Sequence, residues 1–178
     1  MKGHTYLLEA VRLLSASSLG LDVRLLLAGS GPLEATLRRR SQELGLAHVV
    51  TFLGQLSHDE LIDHYRTGSV DVVALASVSE GGRMAEGIPV SLIEAMSFGI
   101  PVVAADSGGV SELVDDTTGI LVPMRDPPAL ADALHRLALD PELADRLGAS
   151  GRERIRADYD IRRNVLELAA GMSTANRG

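Results

Sequence analysis

Short apolar runs alternate along the chain with longer stretches in which apolar residues recur every third or fourth position. The second pattern predicts helices over 4–15, 32–45, 58–68, 89–98 and 108–114. The first predicts strands over 22–29, 48–54, 70–77, 100–106 and 119–123. Further helices are expected over 126–139, 140–157 and 160–171, before a frayed tail at 172–178. Punctuation supports several of these elements. Pro32 and Gly45 suit the two ends of one helix, and Ser57 with Glu60 has the spacing of a capping box. Pro89 suits a first helical turn, and Gly99 followed by Pro101 suits a helix end. Strands with few charges, separated by helices, indicate an α/β fold with a doubly wound parallel sheet covered on both faces. No repeat or linker interrupts the pattern, so residues 1–171 are expected to form one domain. One detail departs from that architecture: the first element is a helix, where a strand normally comes first.

Composition narrows the function classes. The net charge of −7, with no basic tract longer than Arg38-Arg39-Arg40, argues against nucleic acid and anionic membrane surfaces as partners. Aromatic residues make up 3% of the chain, too few for a base-stacking platform. With no cysteine there is neither a disulfide framework nor a thiolate metal site. No apolar run approaches the roughly 18 residues needed to cross a bilayer, and no leader peptide is visible. The expected setting is cytoplasmic, with no transmembrane segment.

The chemistry concentrates in "EGGRMAEGIPVSLIEAMSFGIPVV", residues 80–103, which carries Glu80, Glu86 and Glu94 in an otherwise apolar, glycine-rich setting. Val90, Leu92, Ile93, Ala95 and Met96 leave the 89–98 helix little polar face, so it is expected to be buried. Glu94 then falls on the same face as Val90, and a buried carboxylate needs hydrogen-bond donors from protein or ligand. Glu86 and Gly87 precede the helix in a strand-to-helix connection, where open parallel sheets bind ligands. Gly87 permits close backbone approach, and the N–H groups of residues 88 and 90–92 are expected to face a bound anion. Carboxylates repel phosphate and accept hydrogen bonds from hydroxyls. A ligand with both phosphates and vicinal diols fits, and a nucleotide sugar has both.

The run "EGIPVSLIEAMSFGIPVVAADSGGVSELV" resembles the signature of retaining glycosyltransferases of the GT-B fold, family four (group 1). That signature has two glutamates separated by seven residues, and here GIPVSLI separates Glu86 from Glu94. The segments "KGH", "LLLAGSGP", "VVTFLGQLSHDELIDHYRTGSVDVVALAS" and "GILVP" extend the resemblance, in order, over essentially the whole chain. The longer "ASVSEGGRMAEGIPVSLIEAM" is similar to colanic-acid and exopolysaccharide-type transferases. The resemblance implies a Rossmann-like, nucleotide-sugar-binding domain, the carboxy-terminal half of an enzyme. Such an enzyme transfers a hexose from a UDP- or GDP-sugar to a polysaccharide or lipid-linked glycan acceptor, retaining anomeric configuration. It also implies roles. Glu86 contacts the donor sugar's hydroxyls, and Glu94 accepts from the ribose. Backbone at Gly87, Ile88, Val90 and Ser91 seats the diphosphate, and Lys2 neutralises it as it leaves. Gly29, Gly31, Leu53 and Gly54 line the ribose and base region. No metal or other cofactor is implied, because cationic side chains and a helix N-terminus take the place of a divalent cation.

The chain departs from the family pattern at its front. The family has a strand ending in glycine-arginine just before the lysine, whereas here Met1 directly precedes Lys2. The expectation is an amino-terminally shortened chain without the acceptor-binding domain. Its sheet should be broken between the strands at 22–28 and 70–76, and it should not transfer sugar by itself. A nucleotide-binding module without catalysis, requiring a separate acceptor domain, is the alternative. A nicotinamide-dependent oxidoreductase is disfavoured, because Glu34 stands where the dinucleotide fingerprint begun by "GSGP" requires glycine. Glu80 and Arg83 read as loop residues, and the five histidines as surface or capping residues without metal spacing. The charged 152–163 stretch reads as a solvated helix face.

Overall fold

A computed structural model describes residues 3–16, 20–78 and 87–159. Twelve elements follow in order among them: α1 (His4–Ala16), β1 (Leu25–Ala28), α2 (Glu34–Glu43), β2 (Val50–Gly54), α3 (His58–Arg66), β3 (Val73–Leu75), α4 (Val90–Ser97), β4 (Val102–Ala105), α5 (Val110–Leu113), β5 (Ile120–Val122), α6 (Pro127–Leu139) and α7 (Pro141–Asp158). Each matches a sequence expectation in type, and the strands are shorter than their apolar runs. The expected helix over 160–171 and the tail at 172–178 lie outside the described residues.

All strand pairs are parallel, and they form two separate ladders, β1-β2 and β3-β4-β5. The break expected between 22–28 and 70–76 is present: among the described residues no ladder joins β1 or β2 to β3. Strand β4 shows why the sheet must be covered on both faces. Val103 and Ala105 pack with Leu7, Leu8, Leu130 and Leu137 of α1 and α6. Val102 and Ala104 pack with Leu92, Met96, Leu113 and Ile155 of α4, α5 and α7. All four β4 residues are buried, as period-two alternation in a parallel sheet between helical layers requires.

Local signals fix the helix ends. Ser57 caps α3: its hydroxyl accepts from Glu60 N at 3.3 Å while Ser57 N donates to Glu60 Oε2 at 2.7 Å, completing the predicted capping box. Ser57→Ala is expected to cost about 1 kcal/mol of folding free energy, read from the midpoint of urea unfolding. Asp126 and Asp140 cap α6 and α7 by accepting from Ala129 N and Leu143 N, each at 2.9 Å. Helix α4 ends in a Schellman arrangement, with Ile100 N bonded to Ala95 O, Gly99 N bonded to Met96 O, and Gly99 at φ +77°. Its start differs from expectation. Pro89 sits before the first turn in an extended conformation (φ −68°, ψ 120°), so Val90 is the first helical residue.

Helix α7 approaches α4 at the carboxyl end of α4 through two glycines. A Cβ at Gly148 would lie 2.0 Å from Gly99 O, and one at Gly151 would lie 3.1 Å from Met96 Cε. Further along α7, Arg154 Nη2 donates to Glu112 O at 3.1 Å, which ties α7 to α5. Part of the charged stretch expected to be solvated is therefore a packing surface.

Candidate donor-binding site

In a parallel sheet all carboxyl ends of the strands lie on one side, and the loops that leave them share that side. Gly29 (φ +114°) and Gly54 (φ +68°) end β1 and β2 in conformations that favour glycine. They meet directly, Gly29 N donating to Gly54 O at 2.7 Å, beside the register shift at the end of the ladder. One residue on, Ser30 Oγ donates to Gln55 Oε1 at 3.1 Å. Gly29, Gly31, Leu53 and Gly54, expected to lie together, are therefore grouped by this backbone and side-chain pairing. The loop continues into Ser57 and the first turn of α3.

Helix α4 starts on the same side, after β3. Gly87 is exposed and Ile88 half-buried. A Cβ at Gly109 would lie 3.2 Å from Ile88 N, so the "SGG" loop after β4 packs closely on the backbone that leads into α4. Two parts of the expected geometry are corrected. Leu92 N bonds to Pro89 O at 3.0 Å, which removes it from the set of N–H groups available to an anion. Val90 and Ser91, in the first turn, have no intrahelical acceptor and keep theirs. The helix is also not buried all round: Leu92, Ala95 and Met96 are fully buried, whereas Val90 is 65% exposed. Its outer face at Val90 is open to solvent, so apolar sequence there does not mean core.

Glu94, one turn after Val90, has a side chain 23% exposed, so it is partly open to a ligand. Its Oε1 lies 3.4 Å from Nδ1 of His58, the first residue of α3. Below that contact Tyr65 is buried against Leu92, Ala95 and Met96. Burial, and then the Glu94 carboxylate, push the Tyr65 phenol above its ordinary range. Tyr65 also stacks obliquely on Phe98, ring centroids 5.9 Å apart. The Glu94 side chain of α4 thus meets the first residue of α3. Sequence reasoning set His58 aside as a surface or capping residue. Its place directly after a capping serine, at the carboxyl end of a predicted strand, was the available signal. Lys2, Glu80, Arg83 and Glu86 lie outside the described residues.

A model of the family described as "Glycosyl transferases group 1" matches residues 1–154. The chain belongs to that glycosyl transferase family. Within it, the chain is 37% identical over 137 residues to the GDP-mannose-dependent alpha-(1-6)-phosphatidylinositol monomannoside mannosyltransferase of Mycobacterium tuberculosis, matching 76% of this chain and 35% of that protein. It is 33% identical over 178 residues to the putative colanic acid biosynthesis glycosyltransferase WcaL of Salmonella typhimurium, matching 97% of this chain and 42% of the relative. Among solved structures, Anabaena Alr3699/HepE in complex with UDP-glucose superimposes with a TM-score of 0.79 at 25% identity, over 97% of this chain and 45% of the other. The glycosyl transferase chain therefore spans less than half the length of these relatives. Its two ladders and flanking helices are the Rossmann-like layer arrangement expected of a GT-B half. Among the described residues no helix is long and apolar enough to cross a membrane.

Proposed function

We propose that the chain is the donor-binding part of a retaining glycosyltransferase that uses a UDP- or GDP-sugar and passes a hexose to a polysaccharide or lipid-linked glycan. The observation that carries the reading is Glu94, a partly open carboxylate one turn beyond the free N–H groups of Val90 and Ser91. The N-terminal turn of α4 attracts the diphosphate, and the carboxylate accepts from ribose hydroxyls, so each group of the ligand meets a partner of suitable charge. The glycine-ended loops Gly29–Gly31 and Leu53–Gly54 take the base side. A GDP-mannose-dependent relative and a UDP-glucose-bound neighbour support this class of donor.

In this reading Glu86 contacts the donor sugar beside the reacting carbon. Lys2, together with the α4 N–H groups, stabilises negative charge on the departing diphosphate without a divalent cation. The enzyme works in the cytoplasm, free or peripheral at the inner membrane face. In this reading the described residues contribute the donor side of the site, and nucleotide binding is the property to measure. Calorimetric titration with UDP, GDP and NADH tests the reading. Saturable binding of UDP or GDP is expected, and tight NADH binding with neither nucleoside diphosphate bound would overturn it.

A further inference from the structure

The contact between α3 and α4 has a consequence for how the site selects its ligand. His58 leaves a backbone that the capping box holds from both directions, since Glu60 N donates to Ser57 Oγ at 3.3 Å and Ser57 N donates to Glu60 Oε2 at 2.7 Å. Glu94 leaves a helix whose inner residues Leu92, Ala95 and Met96 are locked against Tyr65 and the half-buried Leu61 and Ile62 of α3. Both backbones are therefore fixed. What remains adjustable is the pair of side chains that meet at 3.4 Å, an imidazole 66% exposed and a carboxylate 23% exposed. Tyr65, buried in the core beneath α4, is a second titratable group that the carboxylate influences.

We infer that His58 is a positioning residue for Glu94. By holding Oε1 it keeps the carboxylate in the rotamer that presents Oε2 to the ribose diol of a nucleoside diphosphate. A glutamate on an open helix face samples several rotamers, and ordering it on binding costs free energy. A neighbour that orders it beforehand removes that cost without touching the ligand. The inference rests on the ribose role proposed for Glu94, and it makes His58 a determinant of discrimination between ribose and its deoxygenated analogues.

The test uses the full chain and four probes: UDP, GDP and their 2′,3′-dideoxy counterparts, titrated by calorimetry. The unaltered chain should prefer the ribonucleotide. His58→Ala should weaken ribonucleotide binding about three- to fivefold, the scale of an exposed charge-assisted contact, and leave dideoxynucleotide binding unchanged. His58→Asn, which keeps a donor nitrogen near the position of Nδ1, should restore most of the loss. Because His58 is mostly exposed, both variants should unfold at the same temperature as the parent. Preference kept intact in His58→Ala, or equal losses for both nucleotide types, overturns the inference while Glu94→Ala still erases the preference. If Glu94→Ala retains the preference, the ribose reading itself falls, and with it the role of His58. No binding of any probe by the unaltered chain overturns the donor-binding reading.

Discussion

Gly148→Ala is expected to destabilise the fold by about 2–4 kcal/mol, the cost of forcing atoms into a packed interface. The sign is the informative part. Inside a helix, alanine normally improves on glycine by about 1 kcal/mol, so an exposed position would gain stability from the same change. At Gly148 the new methyl would meet Gly99 O at 2.0 Å, well inside any tolerable contact. That oxygen belongs to the residue that ends α4 at φ +77°, where the Schellman bonds allow little movement. Helix α7 would have to lift from α4, exposing Ile155 and Met96. Gly151→Ala should cost less, because its nearest neighbour is the flexible Met96 Cε at 3.1 Å, with Thr118 O at 3.3 Å behind it. Urea unfolding of the two variants measures both. A neutral or stabilised Gly148→Ala would mean that α7 does not rest on the end of α4.

This pair of glycines also marks a limit of sequence reading. A glycine inside "RLGASGRERI" registers only as a weak helix former, because the atom that excludes a side chain is Gly99 O, distant in sequence. The His58–Glu94 contact escaped for the same reason. Elements whose signals are local were legible: the α3 capping box lies within four residues, and the end of α4 is set by Gly99 and Pro101. Val90 was misread because periodicity reports which positions are apolar and cannot tell a buried one from an exposed one. The pair of glutamates was legible only as a spacing, and the described residues contain Glu94 alone of the two.

Glu94→Ala is expected to weaken nucleoside diphosphate binding about 10- to 100-fold, the worth of one or two hydrogen bonds from ligand hydroxyls to a charged acceptor. The fold should be almost unaffected. Alanine is the better helix former, and the partner left behind, His58, is 66% exposed and returns to water without leaving a buried charge. Loss of binding at constant stability is the mark of a side chain kept for a ligand, because a structural carboxylate would lose both together. Glu94→Gln separates charge from shape. An amide preserves the contact surface and one acceptor oxygen but lacks the charge, so intermediate affinity is expected. Glu80→Ala supplies the register control, since Glu80 precedes a glycine as Glu86 does but lacks the seven-residue spacing to Glu94. Binding close to that of the parent is expected for it. Equal losses from Glu80→Ala and Glu94→Ala would show that the spacing had been assigned to the wrong pair.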